Sequence, residues 1–110
     1  MGSFVKGDVV VVPFPFSDLS QSKRRPALVV ADLHGDDLIL CQITSRNRPN
    51  RYAIALADDD FDSGRLQRDS YIRAERLFTA DSALVLYGVG SLKPDKMSAV
   101  TGAIVAILQS

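Results

Sequence analysis

The sequence predicts a mainly β fold with one C-terminal helix: a small, strongly bent, barrel-like sheet with the helix packed against it. Two observations carry this. Up to about residue 90, short runs of β-branched and other apolar residues alternate with closely spaced turn signals, as in small barrels. Beyond Pro94 the apolar spacing changes to three and four residues, which is one face of a helix. A chain of 110 residues makes one domain, 1–110, with a modest core that oligomerisation would help to stabilise.

The first element, GDVVVVPFPF (7–16), is β-branched throughout and is closed by Pro13 and Pro15, which donate no ladder hydrogen bond. A polar loop, SDLSQSKRR (17–25), ends at Pro26, and ALVVAD (27–32) forms a second strand. HGDD (34–37) turns the chain into LILCQITS (38–45), so the second and third strands form a hairpin. After RNRPN (46–50), YAIAL (52–56) is a short strand and ADDDFDSGRL (57–66) an acidic loop with Gly64 placed for a turn. SYIRAERLFT (70–79) mixes strand and turn character, and ALVLYGVG (83–90) is a last strand or strand pair. The final element is a helix over 94–108. Met97, Val100, Ile104 and Ile107 share a face, Pro94 suits the first turn, and Asp95 sits at the positive end of the helix dipole.

Composition excludes several classes of function. Acids and bases balance at thirteen each, so no global field holds the protein to nucleic acid. The bases are nevertheless clustered. Ten of the thirteen Lys and Arg residues fall between Lys23 and Arg76, and nine of the thirteen are Arg, whose planar fork matches phosphate. The single cysteine, Cys41, lies in an apolar run; it is read as buried, forms no internal disulfide, and fits a reducing cytoplasm. One Cys and one His give no zinc spacing, and no metal or other cofactor is expected. No apolar run is long enough for a membrane span or a signal peptide, and Lys6 breaks a myristoylation motif.

Three successive basic residues, Lys23, Arg24 and Arg25, precede Pro26 where the loop meets the second strand. Loop charges of this kind either face water or hold an anion. Antiparallel pairing across HGDD brings Arg25 and Thr44 to the same end of the sheet, and on the residues alone both readings of the basic run stay open. Thr44 alone is an ordinary strand residue, and Ser45 is a turn residue or a second hydroxyl for phosphate. Glu75, the only Glu in the chain, either forms an ion pair with Arg73 or Arg76 or acts as a base. His34 lies in the hairpin turn, and a single His rules out two-histidine RNA cleavage.

GDVVVVPFPF, KRRPALVV, the ITS at 43–45, SYIRAERL and SLKPDKM before an apolar helix resemble, in that order and at those intervals, the MazF/PemK family of toxin endoribonucleases. The resemblance covers essentially the whole chain. It implies an SH3-like barrel, a homodimer, metal-independent cleavage of single-stranded RNA, and silencing by a cognate antitoxin. Residue by residue, Arg25 matches the family's catalytic arginine and Thr44 the threonine that hydrogen-bonds the scissile phosphate. Arg73 and Glu75 match an Arg-x-Asp pair with Glu in place of Asp. Many relatives carry an acid five residues before the arginine, where this chain has Ser20; the base is then Glu75 or Asp18. Lys23, Arg24, Ser45, Arg46, Arg48 and Arg73 complete the expected RNA contacts. In this reading the RNA 2′-OH attacks its own phosphate while Arg25 stabilises charge and Thr44 orients the group. The alternative is a non-catalytic toxin of the gyrase-inhibitor type, or a module that binds RNA or protein on the same barrel.

Overall fold

The structure, a computed structural model, describes residues 3–14, 23–45 and 51–110. Seven strands form one sheet: β1 (Asp8–Phe14), β2 (Lys23–Asp32), β3 (Asp37–Thr44), β4 (Ala53–Leu56), β5 (Phe61–Gly64), β6 (Ser70–Asp81) and β7 (Tyr87–Leu92). Among the described residues one α-helix, α1 (Pro94–Gln109), follows. The strands lie in the order β4-β6-β3-β2-β1-β7-β5, and every neighbouring pair is antiparallel.

Connectivity forces this sheet to curl. β4 and β5 occupy its two edges, yet only residues 57–60 join them. An open sheet would separate those edges by five intervening strands at about 4.8 Å spacing, far beyond the reach of four residues. The edges therefore approach one another, and Leu56 of β4 and Phe61 of β5 meet in one core cluster. The joining turn is short and 3-10 in form. The Asp60 carboxylate accepts the Ala57 N–H at 2.9 Å and also meets Lys96 Nζ at 3.3 Å, tying the turn to α1.

β1 is buried on both faces, which explains its unbroken valine run. Val9 joins Leu28, Cys41, Ile43 and Ile72 on the face closed by Met97 and Val100 of α1. Val10 and Val12 join Ala27, Val29, Leu38 and Leu40 on the other face. Leu28, Leu40, Ile43 and Ile72 are fully buried; truncating one such residue to Ala costs about 2–5 kcal/mol. α1 starts as its sequence implies, with Pro94 in the first turn and Asp95 beside it.

Four sequence expectations change. β2 starts at Lys23 rather than after Pro26, because β1 recruits the basic residues into a ladder: Phe14 pairs with Lys23, Pro13 with Arg24 and Val12 with Arg25. Pro26 is tolerated since pairing to β3 begins only at Ala27, leaving that side of β2 without a ladder to interrupt. The acidic loop of 57–66 contains a strand, β5, made by pairing with β7. The mixed segment 70–79 is one twelve-residue strand, β6, whose irregularity is a bulge against β3 between Ile72 and Leu77. The last strand begins at Tyr87, after a 3-10 turn at Ser82–Leu84.

Candidate nucleic-acid groove

A groove of about 550 Å³ opens where β2 begins and β3 ends. Arg24, Arg25 and Pro26 of β2 supply one wall, and Arg65, Gln67 and Arg68 of the β5–β6 connection supply another. Val11, Ile43 and Val89 give it an apolar floor, and the hydroxyl residues Ser45 and Ser70 also line it. Tyr87 of β7 borders the groove and is half exposed.

The position of the arginines follows from the ladder. At Lys23–Pro26, β2 bonds to β1 alone, so these residues stand at a margin of the sheet. Arg24 and Arg25 are adjacent on a strand and point to opposite faces, but both reach a groove that opens at the sheet's end. The groove's described lining holds four arginines and no carboxylate. None of the four takes part in the ion pairs formed among the described residues, which are Arg73–Glu75 and Lys96–Asp60. Among the described residues, then, no carboxylate neutralises them.

Thr44 ends β3, paired with Tyr71 of β6. It lies two residues beyond Gln42, as Arg25 lies two before that residue's partner Ala27, so Arg25 and Thr44 share an end and a face. Thr44 is not among the residues that line the groove, whereas Ser45, the next residue, is. His34 belongs to the opposite end of the hairpin, in the turn, with φ of 59° and its N–H donated to the Asp32 carboxylate.

Arg73 and Glu75 do not line the groove. They engage one another: Arg73 Nε and Nη2 both donate to Glu75 Oε2, at 3.1 and 2.8 Å, with each side chain about a quarter exposed. Cys41, buried behind them, donates its thiol hydrogen to the Arg73 carbonyl at 2.9 Å. Burial, and then the negative charge of Glu75, push that thiol up to about 12, so it is no nucleophile at neutral pH. Lys23 is exposed at the start of β2, outside the lining. Arg46, Arg48, Asp18 and Ser20 lie outside the described residues. Among the described residues, no three His, Cys, Asp or Glu side chains gather as a metal site.

Arg65, Arg68 and Tyr87 had no individual signal in the sequence. The two arginines belong to the cluster of bases between Lys23 and Arg76, but their segment reads as the end of an acidic loop. Only the curl of the sheet carries it to β2.

Chemically, guanidiniums, hydroxyls and a bordering aromatic suit a polyanion with ring systems. Arginine holds its proton, so these groups position and stabilise charge rather than accept protons.

A family model described as "PemK-like, MazF-like toxin of type II toxin-antitoxin system" matches residues 5–108. No curated protein matches the chain. Among solved structures, MazF from Deinococcus radiodurans is similar with a TM-score of 0.79 at 19% identity, over 100% of both chains. An endoribonuclease in complex with its cognate antitoxin from a Mycobacterial species has a TM-score of 0.77 at 17% identity, over 97% of this chain and 96% of the other. The toxin MazF-mt6 of Mycobacterium tuberculosis has a TM-score of 0.73 at 17% identity, over 93% and 96%. At these identities the likeness is one of fold.

Proposed function

Because the chain belongs to the PemK-like, MazF-like toxins of type II toxin–antitoxin systems, we propose that it is an endoribonuclease acting on single-stranded RNA without a metal ion. A cognate antitoxin silences it. The observation that carries this reading is the groove with four arginines and no described carboxylate, at the end of the sheet where Arg25 and Thr44 share a face.

The reaction divides among few groups. The 2′-OH oxygen attacks the adjacent phosphorus, the bond from phosphorus to the 5′-oxygen breaks, the leaving 5′-oxygen takes a proton from solvent water, and a 2′,3′-cyclic phosphate and a free 5′-OH result. Arg25, with Arg24 beside it, stabilises the negative charge that grows on the non-bridging oxygens. Thr44 and Ser45 donate hydroxyl hydrogens that orient the phosphate. The 2′-OH proton passes to a carboxylate; Glu75 stands outside the groove lining in its ion pair with Arg73, which leaves Asp18 as the stronger candidate, and a Glu75→Gln enzyme as fast as the parent is the expected result. The working unit is a cytoplasmic homodimer, a reading supported by exposed apolar side chains at Leu84, Leu86, Val105 and Leu108. Among the described residues no helix is long and apolar enough to cross a membrane.

The test is cleavage of a single-stranded RNA oligonucleotide by purified protein in EDTA. The expected product carries a 2′,3′-cyclic phosphate, and an oligonucleotide with 2′-deoxy at the cleavage site stays intact. Dependence on Mg²⁺, or cleavage of the deoxy substrate, refutes the mechanism. Growth arrest without any RNA cleavage favours the non-catalytic toxin.

A further inference from the structure

The connection between β5 and β6 is fixed at three points. At its start, Gly64 has φ of +73° and lies so close to β7 that a Cβ there would sit 2.0 Å from the Val89 carbonyl oxygen. In the middle, Leu66 packs against the main core cluster. At its end, buried Ser70 donates its Oγ hydrogen to the Arg68 carbonyl at 2.9 Å. Arg65 and Arg68 flank the Leu66 anchor, both exposed and both bordering the groove, with no ion-pair partner among the described residues. Tyr87, paired with Val11 of β1, borders the same groove with 51% of its surface exposed. Two cations and an aromatic ring are thus held on a rigid frame, apart from the β2 wall that carries Arg24 and Arg25.

We infer that Arg65, Arg68 and Tyr87 form a second nucleotide subsite: the two guanidiniums hold the phosphate next to the scissile one, and the Tyr87 ring stacks the attached base. This rests on the ribonuclease reading above. A groove of about 550 Å³ has the size of pockets that hold one small molecule. Arginines on two walls of so small a space suit successive phosphates of one strand better than a lone anion. An acidic peptide would satisfy the arginines, but its carboxylates make no use of an exposed tyrosine, whereas every nucleotide presents a base to stack on it. These are positioning and specificity-determining residues. The charge at the reacting phosphorus stays with Arg25.

The experiment pairs steady-state cleavage with equilibrium binding of an uncleavable 2′-deoxy-substituted RNA between 50 and 200 mM salt. The double variant Arg65→Ala/Arg68→Ala is expected to raise KM about tenfold or more while kcat changes by less than about threefold. Its log–log salt slope should fall by about 0.7, the contribution of the one phosphate the pair holds on a single strand. Arg65→Lys/Arg68→Lys should restore the slope, which a purely structural role would not predict. Tyr87→Ala should weaken binding about tenfold at every salt concentration and flatten the preference at one nucleotide position, while Tyr87→Phe keeps both. Arg76→Ala, on β6 outside the groove lining, also removes a positive charge and should leave the slope unchanged. If the alanine pair fails to fold, Arg65→Gln/Arg68→Gln is read in its place. A parental slope and KM in the double variant, a loss confined to kcat, or a loss of antitoxin binding alone overturns the subsite while the ribonuclease reading stands. A parent protein that neither cleaves nor binds RNA overturns both.

Discussion

One added methyl group has opposite consequences at two glycines of this fold. At Gly64, a Cβ meets the Val89 carbonyl oxygen at 2.0 Å and the Gly90 Cα at 2.6 Å, in a backbone conformation of φ +73°. Ordinary contact requires more than 3 Å, so β5 and β7 must separate by over about 1 Å, and both groups in the way are backbone. The left-handed conformation alone costs an L-residue about 1 kcal/mol. Losing one or two hydrogen bonds of the Gly64–Gly90 pairing adds about 1 kcal/mol each. Gly64→Ala should therefore lose about 3 kcal/mol. At Gly102, within α1, nothing lies within 4 Å of the added Cβ, and Ala is favoured over Gly in a helix by about 0.8–1 kcal/mol. Unfolding entropy near 2.1 cal/mol/K per residue gives about 0.23 kcal/mol per kelvin for 110 residues. Calorimetry should show Tm lower by about 13 °C in Gly64→Ala and higher by about 4 °C in Gly102→Ala. A Gly64→Ala protein within about 4 °C of the parent would refute the close approach of β5 and β7, and with it the rigid frame under Arg65.

The other predictions bear on the groove and on the buried groups beside it. Arg25→Ala should lower kcat on single-stranded RNA by about 10²–10³, and Thr44→Val by about tenfold, both with near-parental Tm; an Arg25→Ala enzyme as fast as the parent ends the proposed mechanism. Arg25→Lys should recover only part of the rate, because an ammonium lacks the two-pronged geometry. Burial and Glu75 push the Cys41 thiol from its ordinary value near 9 up to about 12, so above about pH 9 the unfolded chain releases this proton first. Stability should then fall as pH rises, with a contribution of about 1.4 kcal/mol per pH unit. Urea unfolding between pH 8.5 and 10.5 should show a shallower decline in Cys41→Ala, and an unchanged decline would contradict the assignment. A double-mutant cycle across Arg73→Ala and Glu75→Gln should give a coupling of about 1 kcal/mol, as expected for a partly buried pair. Strict additivity would show that the ion pair contributes nothing.

Local chemistry in the sequence determined much of this protein by itself. A proline, an acid and apolar residues three and four apart specify α1 wherever they occur, because a helix closes its hydrogen bonds within one segment. The valine run of β1 and the hairpin around His34 are legible for similar reasons: both depend on neighbours in the chain. The resemblance to toxins of this family was also carried by the order of short motifs, and it brought Arg25 and Thr44 forward together. Other features were decided only by tertiary structure. Phe61–Gly64 has three exposed residues, one of them a glycine, and only Phe61 favours a strand; it becomes β5 because β7 supplies a ladder. Lys23–Arg25 extends β2 because β1 pairs with it, although three adjacent charges read as a loop. Glu75 lies two residues from Arg73 along an extended strand, and the fold chose the ion pair over the groove. Arg65, Arg68 and Tyr87 are distant in sequence from Arg25. They meet around one groove because four residues between β4 and β5 cannot span an open sheet, and closure of its edges is a property of the whole chain.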